Sequence, residues 1–132
     1  MHRIVWSVAL IALSGVAVAG DVRVRAAELS SSGGGNWSAS VTLEHGDTGW
    51  EHYADAWRVV AADGTVFGTR TLYHPHENEQ PFTRSLSGIQ IPPGTARVFI
   101  EAHDKVHGWS PHRLELDLGK AGSGRIRVTD GD

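Results

Sequence analysis

The chain predicts an all-β sandwich of about seven strands. Three observations carry that prediction. Short runs that alternate apolar and polar residues recur along the chain, separated by turn residues. No stretch has the 3.6-residue periodicity of an amphipathic helix. A tryptophan, Trp57, falls on the third run, where two-sheet sandwiches place a packing tryptophan.

Taken in order, residues 21–29 (DVRVRAAEL) alternate at their start, and SSSGGGN (30–36) is a flexible turn. Residues 37–45 put Trp37, Ala39, Val41 and Leu43 on one face and Ser38, Ser40, Thr42 and Glu44 on the other. GDTG (46–49) is a loop. Residues 53–61 form a strand with Tyr53, Asp55, Trp57 and Val59 sharing a face. ADG (62–64) is a tight hairpin turn, because Asp-Gly suits the turn geometry that matches strand twist. Residues 65–74 return, residues 82–91 follow, and PPG (92–94) turns the chain. Residues 96–103 point Val98, Ile100 and Ala102 inward, and residues 112–118 do the same with Leu114, Leu116 and Leu118. The Gly-rich stretch 119–132 reads as a flexible tail, with RIRV as an optional edge strand. Seven strands at this spacing specify an immunoglobulin-like or fibronectin-III-like sandwich over residues 20–118, with a small β-barrel or jelly roll as the alternative.

Residues 1–19 read as a signal peptide. Arg3 precedes the apolar run IVWSVALIALSGVAVA (4–19), which ends in Ala17-Val18-Ala19, a small-x-small cleavage pattern. The run is short for a membrane span and no cationic flank follows it. The expected location is periplasmic or secreted, with no membrane attachment after cleavage. No cysteine stands at the junction to take a lipid anchor, and none is available for disulfides. Without Arg3 the chain has 11 basic and 15 acidic side chains, a net charge of −4. Such a surface is a poor match for nucleic acid.

Eight histidines in 132 residues are the sequence's main chemical feature. Consecutive strands joined by short turns run antiparallel. Threading the seven strands in that way puts His45, His52, His74, His76, His103, His107 and His112 at one end of the sandwich. In HPH (74–76), an extended backbone points His74 and His76 the same way, and Pro75 stiffens it. His103 and His107 bracket a turn that ends at Gly108. His52 precedes the third strand. Nitrogen-rich ligand sets without sulfur suit Cu(II), Zn(II) or Ni(II), with copper or zinc the leading candidates. The candidate ligands are therefore His74, His76, His103, His107 and His52. Asp55, Asp104, Glu77 and Glu79 lie close in sequence, either as further ligands or to orient an imidazole. His45 and His112 continue inward-facing rows and are expected to close the top of the core. Trp50 and Trp109 sit in the same loops, as a cover for the core or, with Tyr73, as a pocket wall. Asn36-Trp37-Ser38 matches a glycosylation acceptor, a short pattern with little specificity. No Gly-x-Ser-x-Gly elbow, phosphate loop or His-Glu-x-x-His helix occurs, so no catalytic residue is assigned.

The segments GWEHYADAWRVVAADGTVFGTR, LYHPHENEQPFTRSLSGIQIP and AHDKVHGW resemble small exported bacterial proteins across residues 41–118. The resemblance implies a secreted, single-domain β protein and brings no assigned activity or ligand set. Exported copper-binding sandwiches of the copper-resistance type share the inferred architecture, but their methionine-rich loop has no counterpart here. The expected function is thus binding of a divalent metal or small ligand by the top loops. The alternative is an adhesion or protein-partner module, in which Trp50, Trp109 and Tyr73 make the contacts.

Overall fold

A computed structural model describes residues 21–131. The expected signal peptide lies outside the described residues. Nine strands follow in order: β1 (Arg23–Gly33), β2 (Asn36–Glu44), β3 (Ala54–Ala61), β4 (Val66–Thr71), β5 (Phe82–Gln90), β6 (Arg97–Asp104), β7 (Gly108–Trp109), β8 (Leu114–Asp117) and β9 (Arg125–Thr129). One sheet has the order β5-β2-β1-β9. The other runs β4-β3-β6, and the far edge of β6 pairs first with β8 and then, nearer its end, with β7. All pairings are antiparallel. The two sheets face each other as a sandwich and do not close into a barrel.

The alternating residues make the core. Ala39, Val41 and Leu43 from β2 meet Val98, Ile100 and Ala102 from β6, with Trp57 of β3 and Leu116 of β8 fully buried among them. Removing a side chain as large as Trp57 from such packing costs about 3–5 kcal/mol. Among the described residues no helix is long and apolar enough to cross a membrane.

Two elements depart from the sequence expectation. The first is in β3, where the register shifts between Ala54 and Ala56. This bulge breaks the alternation, so Asp55 does not share a face with Trp57: Trp57 is buried, while Asp55 is half-buried and turned toward His103. The second is the Gly-rich stretch 119–132, expected as a flexible tail. It holds β9, which lies along β1 with Ile126 opposite Leu29 and Val128 opposite Ala27. Both side chains pack against the core. Glycine content favoured a loose segment. The alternation Ile126-Val128 and the free edge of β1 outweigh it, because pairing satisfies backbone groups on both strands. The optional RIRV strand is the arrangement the chain adopts.

Candidate metal centre

The inward rows of two strands continue beyond the apolar core. On β2 the row Ala39-Val41-Leu43 runs on to His45. On β6 the row Val98-Ile100-Ala102 runs on to Asp104. Both polar side chains are buried, as the alternation requires. A tight turn then brings in His52: the Thr48 N–H donates to the His52 carbonyl (3.0 Å) and the His52 N–H to the Gly49 carbonyl (3.2 Å). Gly49 has φ +133°, and a Cβ there would meet the Glu51 carboxylate at 3.3 Å, so the turn requires glycine.

Three potential ligands converge as a result. His52 Nε2 lies 3.3 Å from Asp104 Oδ1, and His45 Nε2 lies 3.7 Å from Asp104 Oδ2. The ligand atoms of His45, His52 and Asp104 all lie within 4.8 Å of one another. Ligand atoms around a tetrahedral Zn(II) with bonds near 2 Å are about 3.3 Å apart, so the set needs little movement to close on a cation.

A buried acid fixes the direction of His45. Its Nδ1–H donates to Asp47 Oδ1 at 2.5 Å, which leaves the lone pair of neutral His45 on Nε2, facing Asp104. Asp47 also fastens the start of β3 and the β4–β5 loop. Its Oδ1 accepts from the Ala54 N–H (3.1 Å), and its Oδ2 accepts from the His76 N–H (2.7 Å). Gln80 adds a clamp, accepting from the His45 N–H (3.0 Å) and donating to the His76 carbonyl (2.8 Å). Burial opposes the charge on Asp47, but the bonds from His45, His76 and Ala54 outweigh it and hold its carboxyl below the usual range.

Asp104 is arranged in the same way. Its Oδ1 accepts from the N–H groups of Val106 (2.8 Å) and His107 (2.7 Å), and His107 Nδ1 lies 3.1 and 3.2 Å from its two oxygens. Burial would raise its pKa, yet these donors hold it lowered. Oδ1 is therefore committed to the turn, and Oδ2 is the oxygen turned toward His45. His52 Nε2 is buried and has no hydrogen-bond partner among the described residues, although it lies 3.3 Å from a carboxylate oxygen. A buried imidazole nitrogen in that position lacks compensation until it binds a proton or a cation.

The remaining predicted residues divide by location. His107 is exposed and adjoins the cluster, its ring centroid 5.0 Å from that of His52. His74 and His76 do lie side by side, 4.7 Å between centroids. His76, however, is only 6 % exposed, stacks on Phe82 at 4.0 Å, and accepts from Arg84 through Nε2 at 3.0 Å. Burial, and then the charges of Arg84 and His74, lower its pKa against the opposing pull of Asp47 and Glu79. An arginine bonded to the imidazole works against a cation at that pair. His74 is exposed, with Nδ1 3.3 Å from the Pro75 carbonyl.

His103 is on the other face of its sheet. Ala102 and Asp104 point inward, so His103 between them points outward, bonded to Asp55 at 2.5 Å and edge-on to Trp109. It does not face His74 and His76 as expected, and Asp55 orients His103 alone. Glu77 is exposed beside Gly49, and Glu79 pairs with Arg84. Trp50 (64 % exposed) and Tyr73 (75 %) stand out from the loops, and Trp109 lies against Arg58 on the outer sheet face. None of the three covers the core. His112 bonds to the Val24 N–H through Nδ1 (3.3 Å), at the top of β1.

The sequence offers Asp104 as a ligand or an orienting group and gives no sign of Asp47. The signal for Asp104 was available: it is the next inward position after Ala102. Asp47 has no comparable signal, since its bond to His76 joins positions 29 residues apart.

No family model matches the chain, and no solved structure matches it. A protein of Halomicrobium mukohataei bearing the name "Putative lipoprotein" is 42 % identical over 89 residues. The match covers 67 % of this chain and 43 % of that protein, so the chain spans less than half of its relative's length.

Proposed function

We propose that this protein is an exported β-sandwich that binds one divalent transition metal, Zn(II) or Cu(II), at His45, His52 and Asp104. The observation that carries this reading is the convergence of two imidazole Nε2 atoms on one buried carboxylate, one of them without a hydrogen-bond partner. The Asp47–His45 bond supports it, because ligating histidines commonly donate their second nitrogen to a carboxylate. Two nitrogens and one oxygen suit either metal, and three protein ligands leave a coordination position open. Export is supported by the apolar leader pattern of residues 1–19 and by the lipoprotein name of the relative. We read the sandwich as immunoglobulin-like, since β1, β2 and β5 lie opposite β4, β3, β6 and β8.

Calorimetric titration of chelator-stripped protein at pH 7.5 tests the reading. One equivalent of Zn(II) or Cu(II) should bind, and His52→Ala should weaken binding at least tenfold without unfolding the sandwich. No stoichiometric binding at micromolar protein refutes it. The second reading, a partner-recognition module, then takes its place; the exposure of Trp50 and Tyr73 beside the loops favours it.

A further inference from the structure

The geometry points to Asp21 as the ligand that closes this metal centre, so that binding a cation fastens the start of the first strand to the turn after β6. The inference rests on the metal reading above and adds a residue from a part of the chain that reading does not use.

Two observations place Asp21 there. Its carboxylate belongs to a second convergent group: ligand atoms of Asp21, Asp104 and His107 all lie within 4.8 Å of one another. Asp21 and His45 also line the same surface cleft, together with Arg23, Glu44, Gly46 and His112. Asp21 is thus next to Asp104 and on the solvent side of His45.

The two groups share Asp104, which raises the choice between two cations bridged by its carboxylate and a single cation with more ligands. The hydrogen bonds decide. Asp104 Oδ1 already accepts two backbone N–H groups and faces His107 Nδ1, so its lone pairs are taken. Oδ2, 3.7 Å from His45 Nε2, remains for a metal, and His52 Nε2, 3.3 Å from Oδ1, must swing toward it to share the cation. His107 has Nδ1 directed at both Asp104 oxygens, at 3.1 and 3.2 Å, and this orients the carboxylate. A single cation on Oδ2 therefore has His45 on its inner side, His52 within reach from beside Oδ1, and Asp21 as the available donor on its outer side.

Charge balance favours the same arrangement. Asp104 alone leaves a divalent cation with one uncompensated charge, and a second carboxylate neutralises it. Asp21 is exposed, so its side chain can rotate the remaining distance without disturbing the core. Its backbone is held in register by the next residue, since Val22 is fully buried.

The test uses the full chain and Zn(II), with Co(II) as a spectroscopic stand-in. Asp21→Asn should weaken Zn(II) binding tenfold or more while keeping one equivalent. Asp21→Glu should restore much of the affinity, because an exposed side chain can adjust its reach. The visible bands of bound Co(II) should shift in Asp21→Asn, since one ligand is exchanged for water. The metal-free melting temperature should not change in either variant. Wild-type affinity and an unchanged Co(II) spectrum in Asp21→Asn would overturn the assignment while leaving the metal centre intact. Binding of two equivalents by the wild type, reduced to one in Asp21→Asn, would overturn it in favour of a bridged pair. A wild type that binds no metal would remove both readings.

Discussion

Replacing Asp47 by Asn should lower stability by about 2–4 kcal/mol even with all metal removed. Asp47 accepts three hydrogen bonds inside the protein: His45 Nδ1 and Ala54 N on Oδ1, and His76 N on Oδ2. Asparagine has one acceptor oxygen. With its oxygen at the Oδ1 position it keeps two donors satisfied and turns its NH2 against the His76 N–H. The opposite orientation is worse, because two donors lose their acceptor. Hydrogen bonds to a charged group contribute about 1.5–3 kcal/mol each, and leaving a buried donor unpaired costs about 1–3 kcal/mol. One bond lost and two weakened gives the figure above. At roughly 4 °C per kcal/mol for a domain of this size, the midpoint should fall by about 10 °C. Thermal and urea unfolding in EDTA, followed by tryptophan fluorescence, measures it. The pH dependence supplies a second readout. The Asp47 carboxyl is held below its usual value. Its contribution is therefore fully present above about pH 4, the ordinary aspartate value, and is lost as pH falls through the lower folded value. The gap between wild type and Asp47→Asn should be constant near neutrality and close in acid. A variant within about 0.5 kcal/mol of the wild type would show that Asp47 does not hold the β2–β3 and β4–β5 loops together.

Two further outcomes follow from the neighbouring histidines. Burial and the charges of Arg84 and His74 lower the pKa of His76, so the unfolded chain takes up that proton first, and this residue's share of stability should be lost as pH drops below about 6.5. An imidazole NMR titration should place the His76 midpoint below that value; a midpoint at or above it would contradict the packing described. His103→Ala, whose side chain lies across the sheet from Asp104, should leave Zn(II) affinity within twofold of the wild type in calorimetry. A tenfold loss would mean that the outer face contributes to the centre.

The alternation of apolar residues determined the seven main strands, the burial of Trp57, and the collection of histidines at one end. These are consequences of a period of two and of short turns, and both are written locally. Tertiary structure decided which of the histidines meet. The sequence pattern points to the visible pairs His74–His76 and His103–His107, with His52 as a further candidate. The fold instead turns His103 outward, gives His76 to Arg84 and Phe82, and collects His45, His52 and Asp104. Part of that selection was legible. The inward row of β6 points at Asp104 rather than His103, and the row of β2 points at His45. The rest was not, because it depends on contacts between segments distant in sequence: Asp47 accepts from His76, 29 positions away, and β9 lies against a strand about 100 positions earlier. Local pattern specifies the face of a strand that a side chain occupies. It does not specify which loop crosses above that face, or which donor reaches a buried carboxylate. Those are settled only when the two sheets pack and every buried polar group must find a partner.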